Sequence, residues 1–187
     1  MDGYKIRPIE VGDAANVTKL LNEVSEESNF LTKGPADPGY NSGFMYEYIL
    51  MMKSNNDVGL VITHNGDIVG VSMASCINRT MSRLRHRCQL FISIHKNHRG
   101  LGLGKSLLIQ TMKTCKANGF EIMELEVIKS NIIAIYLYKQ VGFITYGVFT
   151  NAIKNENSYE DTVLMNFDLK GMEDDLLWDT NHSLISS

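Results

Sequence analysis

Long hydrophobic runs are missing from this sequence. Nowhere among its 187 residues do about 18 apolar side chains follow one another, the length a membrane-crossing helix needs. The start, Met1-Asp2-Gly3-Tyr4-Lys5, has no apolar stretch of the kind a secretory signal carries. The expectation is a soluble, cytoplasmic protein with no membrane partner. Cysteine is sparse as well: Cys76, Cys88 and Cys115 are odd in number, widely spaced and without a Cys-x-x-Cys pair. They read as reduced core residues, so neither a disulfide framework nor a metal site is expected. Charge of one sign is also lacking, since 18 Lys and Arg against 21 Asp and Glu leave a net −3. That balance speaks against nucleic acid as a general partner. Internal repeats and low-complexity tracts are absent too.

What the sequence does contain is a hydrophobic share of 44%, enough for one sizeable core at this length. One domain over residues 1–170 is expected, followed by a tail over 171–187 whose Leu176-Leu177-Trp178 packs on the body or on a second subunit, or is disordered. Tyr4 to Ile9 reads as an edge strand ended by proline. Asp13 is placed to cap a helix with Val17, Leu20, Leu21 and Val24 on one face. Turn formers crowd Glu26 to Asn41, which predicts an irregular loop, and Met45, Tyr48, Ile49 and Met52 mark a second helix over Ser42 to Lys53. Val58, Leu60 and Ile62 alternate, Asn65-Gly66 gives a tight turn, and Ile68 to Ile77 returns as a strand. Asn78 to Arg87 carries four arginines, either a solvated loop or an attraction for an anion.

From Cys88 the pattern is strand to Ile94, helix from about Leu103 to Asn118, and strand from Glu121 to Val127. A unit of that length implies a right-handed crossover between parallel neighbours. Asn131 caps a further helix to Gln140, and Phe143 to Thr150 and Thr162 to Leu169 complete seven strands and four helices. The class is therefore α/β (α+β), a mixed sheet flanked by helices.

The junction at residues 92–106, Ile-Ser-Ile-His-Lys-Asn-His-Arg-Gly-Leu-Gly-Leu-Gly-Lys-Ser, runs from strand through alternating glycines into helix. Glycines let a ligand approach the backbone, and the N–H groups that open a helix point outward with partial positive charge, so this is an anion site suited to phosphate. A Walker loop is excluded, because its first glycine would fall on Arg99. The spacing 100, 102, 104 also misses the dinucleotide fingerprint. A glycine-rich helix start that holds no ligand stays open on the junction alone.

Arg99-x-x-Gly102-x-Gly104 resembles the pyrophosphate-binding motif of the GCN5-related N-acetyltransferases, the GNAT family. Asn131-x-x-Ala134-x-x-Leu137-Tyr138-x-x-x-Gly142-Phe143 resembles that family's second signature, and the likeness covers roughly residues 4 to 169. It implies the GNAT acyl-CoA N-acyltransferase fold, whose central parallel strands splay to admit acetyl-CoA, and often a homodimer. By resemblance, the backbone of Ile92, Ser93 and Ile94 pairs with the pantetheine arm. Arg99, Gly100, Leu101, Gly102, Leu103, Gly104, Lys105 and Ser106 hold the pyrophosphate, Asn131 and Tyr138 border the cofactor, and Tyr138 is the general acid. The acceptor implied is a primary amine of a small molecule or an exposed peptide amino group.

Acetyl transfer to an amine has to lose a proton from nitrogen. A primary amine with a pKa near 10.4 is only about 0.04% neutral at pH 7, a cost of roughly 4–5 kcal/mol. Here the sequence departs from its relatives, several of which read Glu-Leu-x-Ile-Ser-Val where this chain has Gln89-Leu90-Phe91-Ile92-Ser93-Ile94. Gln89 cannot be a base. His86, Glu124 and Glu126 are the remaining candidates, and a missing base would slow the reaction, not abolish it. His95 and His98 are expected on the surface. Two other readings follow from the same residues: a non-catalytic CoA-binding module, suggested by Gln89, and a nucleic-acid binder using Arg79 to Arg87.

Overall fold

Alternating apolar residues and glycine-bearing turns build the strands, and their pairing sets where a ligand can enter. A computed structural model describes residues 3–28, 30–31, 33 and 37–172. The strands are β1 (Tyr4–Pro8), β2 (Val58–His64), β3 (Asp67–Cys76), β4 (Arg87–Ile94), β5 (Ile122–Ile128), β6 (Ile144–Lys154) and β7 (Tyr159–Asp168), and the helices are α1 (Ala14–Glu27), α2 (Ser42–Ser54), α3 (Leu103–Ala117) and α4 (Ile132–Val141). They form one mixed sheet in the order β1-β2-β3-β4-β5-β7-β6, in which β4 and β5 are parallel and every other neighbour is antiparallel. No helix of the described residues is long and apolar enough to cross a membrane.

Two cores lie on opposite faces of the sheet. On one, Leu103, Leu107, Leu108 and Met112 of α3 pack with Cys88 and Leu90 of β4, Met123, Leu125 and Val127 of β5, and Val141 of α4. On the other, Val17, Leu20, Leu21 and Val24 of α1 and Met45, Ile49 and Met52 of α2 pack on Val61, Val71 and Met73 of β2 and β3, with Phe91 at their border. This second face is covered only as far as β4. Beyond it Ile144, Tyr146 and Phe149 of β6 stay exposed.

Three local expectations change. Asp13 does not cap α1 with its side chain; its carboxylate takes both Arg7 Nη1 and Nη2 (2.6 and 2.8 Å) and the Glu10 N–H (2.8 Å), a charged fork stronger than a neutral cap. The Asn151 to Glu160 stretch, expected as a connection, is mostly strand: β6 and β7 pair out to Lys154 and Tyr159. The ladder shifts register between Phe149 and Ile153 and Asn151 has a φ of 56°, so a bulge interrupts the alternation that a sequence pattern relies on. The third change concerns His98, which is half-buried: Tyr4 donates to or accepts from its Nδ1 at 2.8 Å and stacks on His64. Of the expected tail, residues 173–187, with Leu176, Leu177 and Trp178, lie outside the described residues.

Candidate active site

The parallel pair stops pairing early. Its partners are Arg87 with Ile122, Cys88 with Met123 and Gln89 with Glu124, yet β4 continues to Ile94 and β5 to Ile128. From Leu90 onward the two strands part, and a gap opens in the middle of the sheet. Which atoms line it follows from the ladders. The His95 N–H donates to Val69 O (2.9 Å) and the Ile77 N–H to Arg87 O (3.1 Å), so odd-numbered residues of β4 turn their backbone toward β3. The Ile122 N–H donates to His86 O (3.2 Å), so even-numbered residues turn theirs toward β5. Ile92 and Ile94 therefore present their backbone to the gap, and Ser93 presents its own to β3.

At the open end the chain tightens into the junction. Arg99 Nε donates to Ile94 O (2.8 Å) and its Nη2 reaches Glu27 (3.3 Å), the last residue of α1. Glu27 also accepts from the Lys96 N–H (3.1 Å) and pairs with Lys96 Nζ (3.0 Å). Burial alone would raise the Glu27 carboxyl, but the hydrogen bonds and charge of Lys96, with that of His95, bring it below its ordinary value. His98 moves the other way a cation prefers: burial, then the charges of His64 and His95, lower it. Gly100 and Gly102 have φ of 76° and 75°, a left-handed backbone that glycine adopts without strain. The Ser106 N–H closes the first turn of α3 on Gly102 O (3.1 Å). Among the described residues, the N–H groups of Gly102, Leu103, Gly104 and Lys105 find no partner. Leu103 and Ser106 are buried and anchor this helix start, while Leu101 and Lys105 are exposed. The junction thus offers a row of bare amides beside a cationic side chain, which fits a diphosphate.

α4 crosses over the same end. A Cβ on Gly104 would lie 3.5 Å from Leu137 and 4.0 Å from Ile94, so α3, α4 and β4 meet there. Asn131 caps α4 by accepting from the Ala134 N–H (3.2 Å), and Gly142 ends it at a φ of 106°. Tyr138 is buried beside Phe143, and burial pushes its phenol up to about 12. Its hydroxyl makes no hydrogen bond with any described residue.

On the face left open by α1 and α2, the carboxylates of β5 flank the gap. Glu124 is held by Arg87 through Nε and Nη2, the latter at 2.8 Å. Glu126 is exposed and accepts from the Thr162 hydroxyl. Tyr146 feels both: burial raises its phenol, Glu124 raises it further, Arg87 lowers it and Glu126 raises it. His86 is not brought to this place. Its carbonyl takes the N–H groups of Glu121 and Ile122 at the closed end, three strand positions before Gln89, or about 10 Å. No three of His, Cys, Asp and Glu among the described residues come together to hold a metal ion.

A model of the acetyltransferase (GNAT) family matches residues 21–143. The chain belongs to this family. An acetyltransferase of the GNAT family from Streptococcus pneumoniae is 30% identical, with a TM-score of 0.82 over 88% of this chain and 99% of that one. An N-acetyltransferase from Staphylococcus aureus Mu50 is 17% identical, at 0.81 over 89% and 98%. A GNAT phosphinothricin acetyltransferase from Sinorhizobium meliloti, solved in complex with acetyl-CoA, is 20% identical, at 0.80 over 89% and 88%. No curated protein matches the chain.

For this GNAT protein the junction and Tyr138 were accessible to sequence reading, whereas Glu27 and Tyr146 were missed and Arg87, read as part of a solvated or anion-attracting cluster, is instead paired with Glu124. Arg87 and Glu124 are 37 positions apart and meet only through the parallel register, for which no local signal exists. Glu27 falls in the stretch expected as an irregular loop from Glu26 on, whereas α1 runs on through it, and nothing in the sequence named its partner.

Proposed function

We propose that this protein transfers the acetyl group of acetyl-CoA to a primary amine, of a small molecule or an exposed peptide amino group, by direct attack. The observation that carries the reading is the parallel pair that separates after Gln89 and Glu124 and leaves the N–H groups of Ile92 and Ile94 without a strand neighbour on that side. The backbone of Ile92 and Ile94 would take the pantetheine arm, while that of Ser93 stays bonded to β3. The residues from Arg99 to Ser106 would hold the pyrophosphate, with Asn131 fixing the start of α4 beside it. Bound there, acetyl-CoA supplies an activated thioester.

The residues around the gap then divide the work. The Ile94 N–H would donate to the thioester oxygen as charge builds on it. A carbon–nitrogen bond forms, the carbon–sulfur bond breaks, and the proton leaving nitrogen passes to Glu126 directly or through water. Tyr138 donates toward the departing sulfur. A phenol held at about 12 keeps its proton at neutral pH. Gln89 contributes no base, so Glu126 on the opposite strand is the proton acceptor this geometry favours over His86.

The test is release of free thiol from acetyl-CoA with a panel of polyamines, amino acids, aminoglycosides and peptides. Acceptor-dependent release supports the reading. Tight acetyl-CoA binding with no release for any acceptor supports a CoA-binding module instead.

A further inference from the structure

The charges that border the gap also select the amine, an inference that rests on the acetyl-transfer reading above. Cross-strand partners line up in rows. Ser75, Gln89, Glu124, Asn166 and Ile144 stand opposite one another on the face that α1 and α2 leave open past β4. Tyr48 of α2 closes one end of this row through its hydroxyl on Ser75 (3.1 Å). One row nearer the gap mouth, Phe91 lies on β4 with Glu126 on β5.

β4 and β5 carry one cation between them, Arg87, and two carboxylates, Glu124 and Glu126. Arg87 is already committed, because both its Nε and Nη2 point at Glu124. Among the described residues Glu126 has only the Thr162 hydroxyl. On this face of β4 and β5 Glu126 is therefore left without a cationic partner among the described residues, and Tyr146, its phenol raised first by burial and then by both carboxylates against the pull of Arg87, stands near them with half its surface exposed.

We infer that the acceptor is a primary ammonium whose adjacent carbon bears no carboxylate: an arylalkylamine, an alkyl diamine, or the amino group of an amide-capped amino acid or peptide. Glu126 holds the ammonium, and the apolar body lies along Tyr146 and Phe91. A free α-amino acid would bring its own carboxylate to the same place, against Glu126 and Glu124, with the Arg87 fork already filled. Of the three arginines in the β3–β4 connection two are engaged, and Arg83 is the one whose effect the experiment below reads. Arg79 is paired with Asp57 and Arg85 Nε donates to the Arg79 carbonyl (2.7 Å).

The experiment uses the full chain with acetyl-CoA and matched acceptor pairs: tyramine and tyrosine, phenethylamine and phenylalanine, cadaverine and lysine, phenylalaninamide and phenylalanine. The expected result is a kcat/KM at least tenfold higher for the member without a carboxylate in each pair. Glu126→Gln should shrink that ratio severalfold and raise the acceptor KM, with the KM for acetyl-CoA unchanged; a merely structural role for Glu126 would not move the ratio. Equal or better use of the carboxylated members overturns the acceptor class while leaving the transferase reading in place, and loss of such a preference in Arg83→Gln would show that Arg83 reads the acceptor carboxylate. No transfer to either member of any pair, with acetyl-CoA still bound, removes this inference, and the transferase reading falls with it when the wider acceptor panel also releases no thiol.

Discussion

The junction after β4 and the open face of β5 border one gap, but they present different kinds of group to it. The junction works with backbone: left-handed glycines and a helix start leave amides bare, and the carboxylate nearest to it, Glu27, serves to brace the turn. The face of β5 works with side chains, where Arg87, Glu124, Glu126 and Tyr146 set a field without a single strained residue among them. Backbone recognition suits a group that is the same for every turnover. Side-chain recognition suits an acceptor that distinguishes one enzyme of the family from the next.

The sharpest way to break this contrast is at the junction. Gly102→Val forces a β-branched residue into a left-handed backbone (φ 75°), and strain of about 1–2 kcal/mol adds to methyl groups placed over the amides. Calorimetry should find acetyl-CoA affinity down by about 100-fold or more, roughly 2.7 kcal/mol, with an unchanged far-UV spectrum. Unchanged affinity would detach the glycines from cofactor binding.

Tyr138→Phe comes next and lies between the two regions. Turnover should fall by about 10²-fold while acetyl-CoA affinity stays within about twofold, since the hydroxyl has no partner to lose and is not a binding group. A large loss of affinity with turnover intact would reassign Tyr138 to binding.

A smaller effect is expected at the brace. Glu27→Gln loosens Lys96 and Arg99 and should weaken acetyl-CoA by about five- to tenfold, the scale of one charged hydrogen bond. Because the Glu27 carboxyl sits below its ordinary value when folded, its contribution to stability is complete above the unfolded carboxylate range and is lost as pH falls through the folded value. Thermal melts from pH 7 to pH 3 should therefore show a shallower acid decline in the variant than in the wild type. The smallest effect belongs to Asn131→Ala, which removes the α4 cap. It should cost about 1 kcal/mol and a few degrees of Tm with acetyl-CoA affinity unchanged; a clear loss of affinity would give Asn131 a direct role in binding.

The contrast also explains what the sequence disclosed. The junction is local: strand, glycines and helix occupy consecutive residues, so their spacing can be read directly, and Asn131, Tyr138 and Gly142 likewise share one helix. The seven strands were legible from alternation except where bulges interrupt it in β6. Glu126 could be named as a candidate, but not preferred over His86, because the choice depends on where β4 and β5 part. Partner selection by charge was hidden as well: Asp13 looks like a helix cap until Arg7 is seen beside it, and the cluster of Tyr4, His64 and His98 joins three distant segments.

Amide hydrogen exchange, followed residue by residue, tests the gap most directly. In the free protein the N–H groups of Ile92 and Ile94 should exchange quickly and those of Phe91 and Ser93, bonded to β3, slowly; acetyl-CoA should slow the first pair by about tenfold or more and leave the second pair slow. Protection of Ile92 and Ile94 without ligand, or no change on adding it, would contradict an open cleft between β4 and β5.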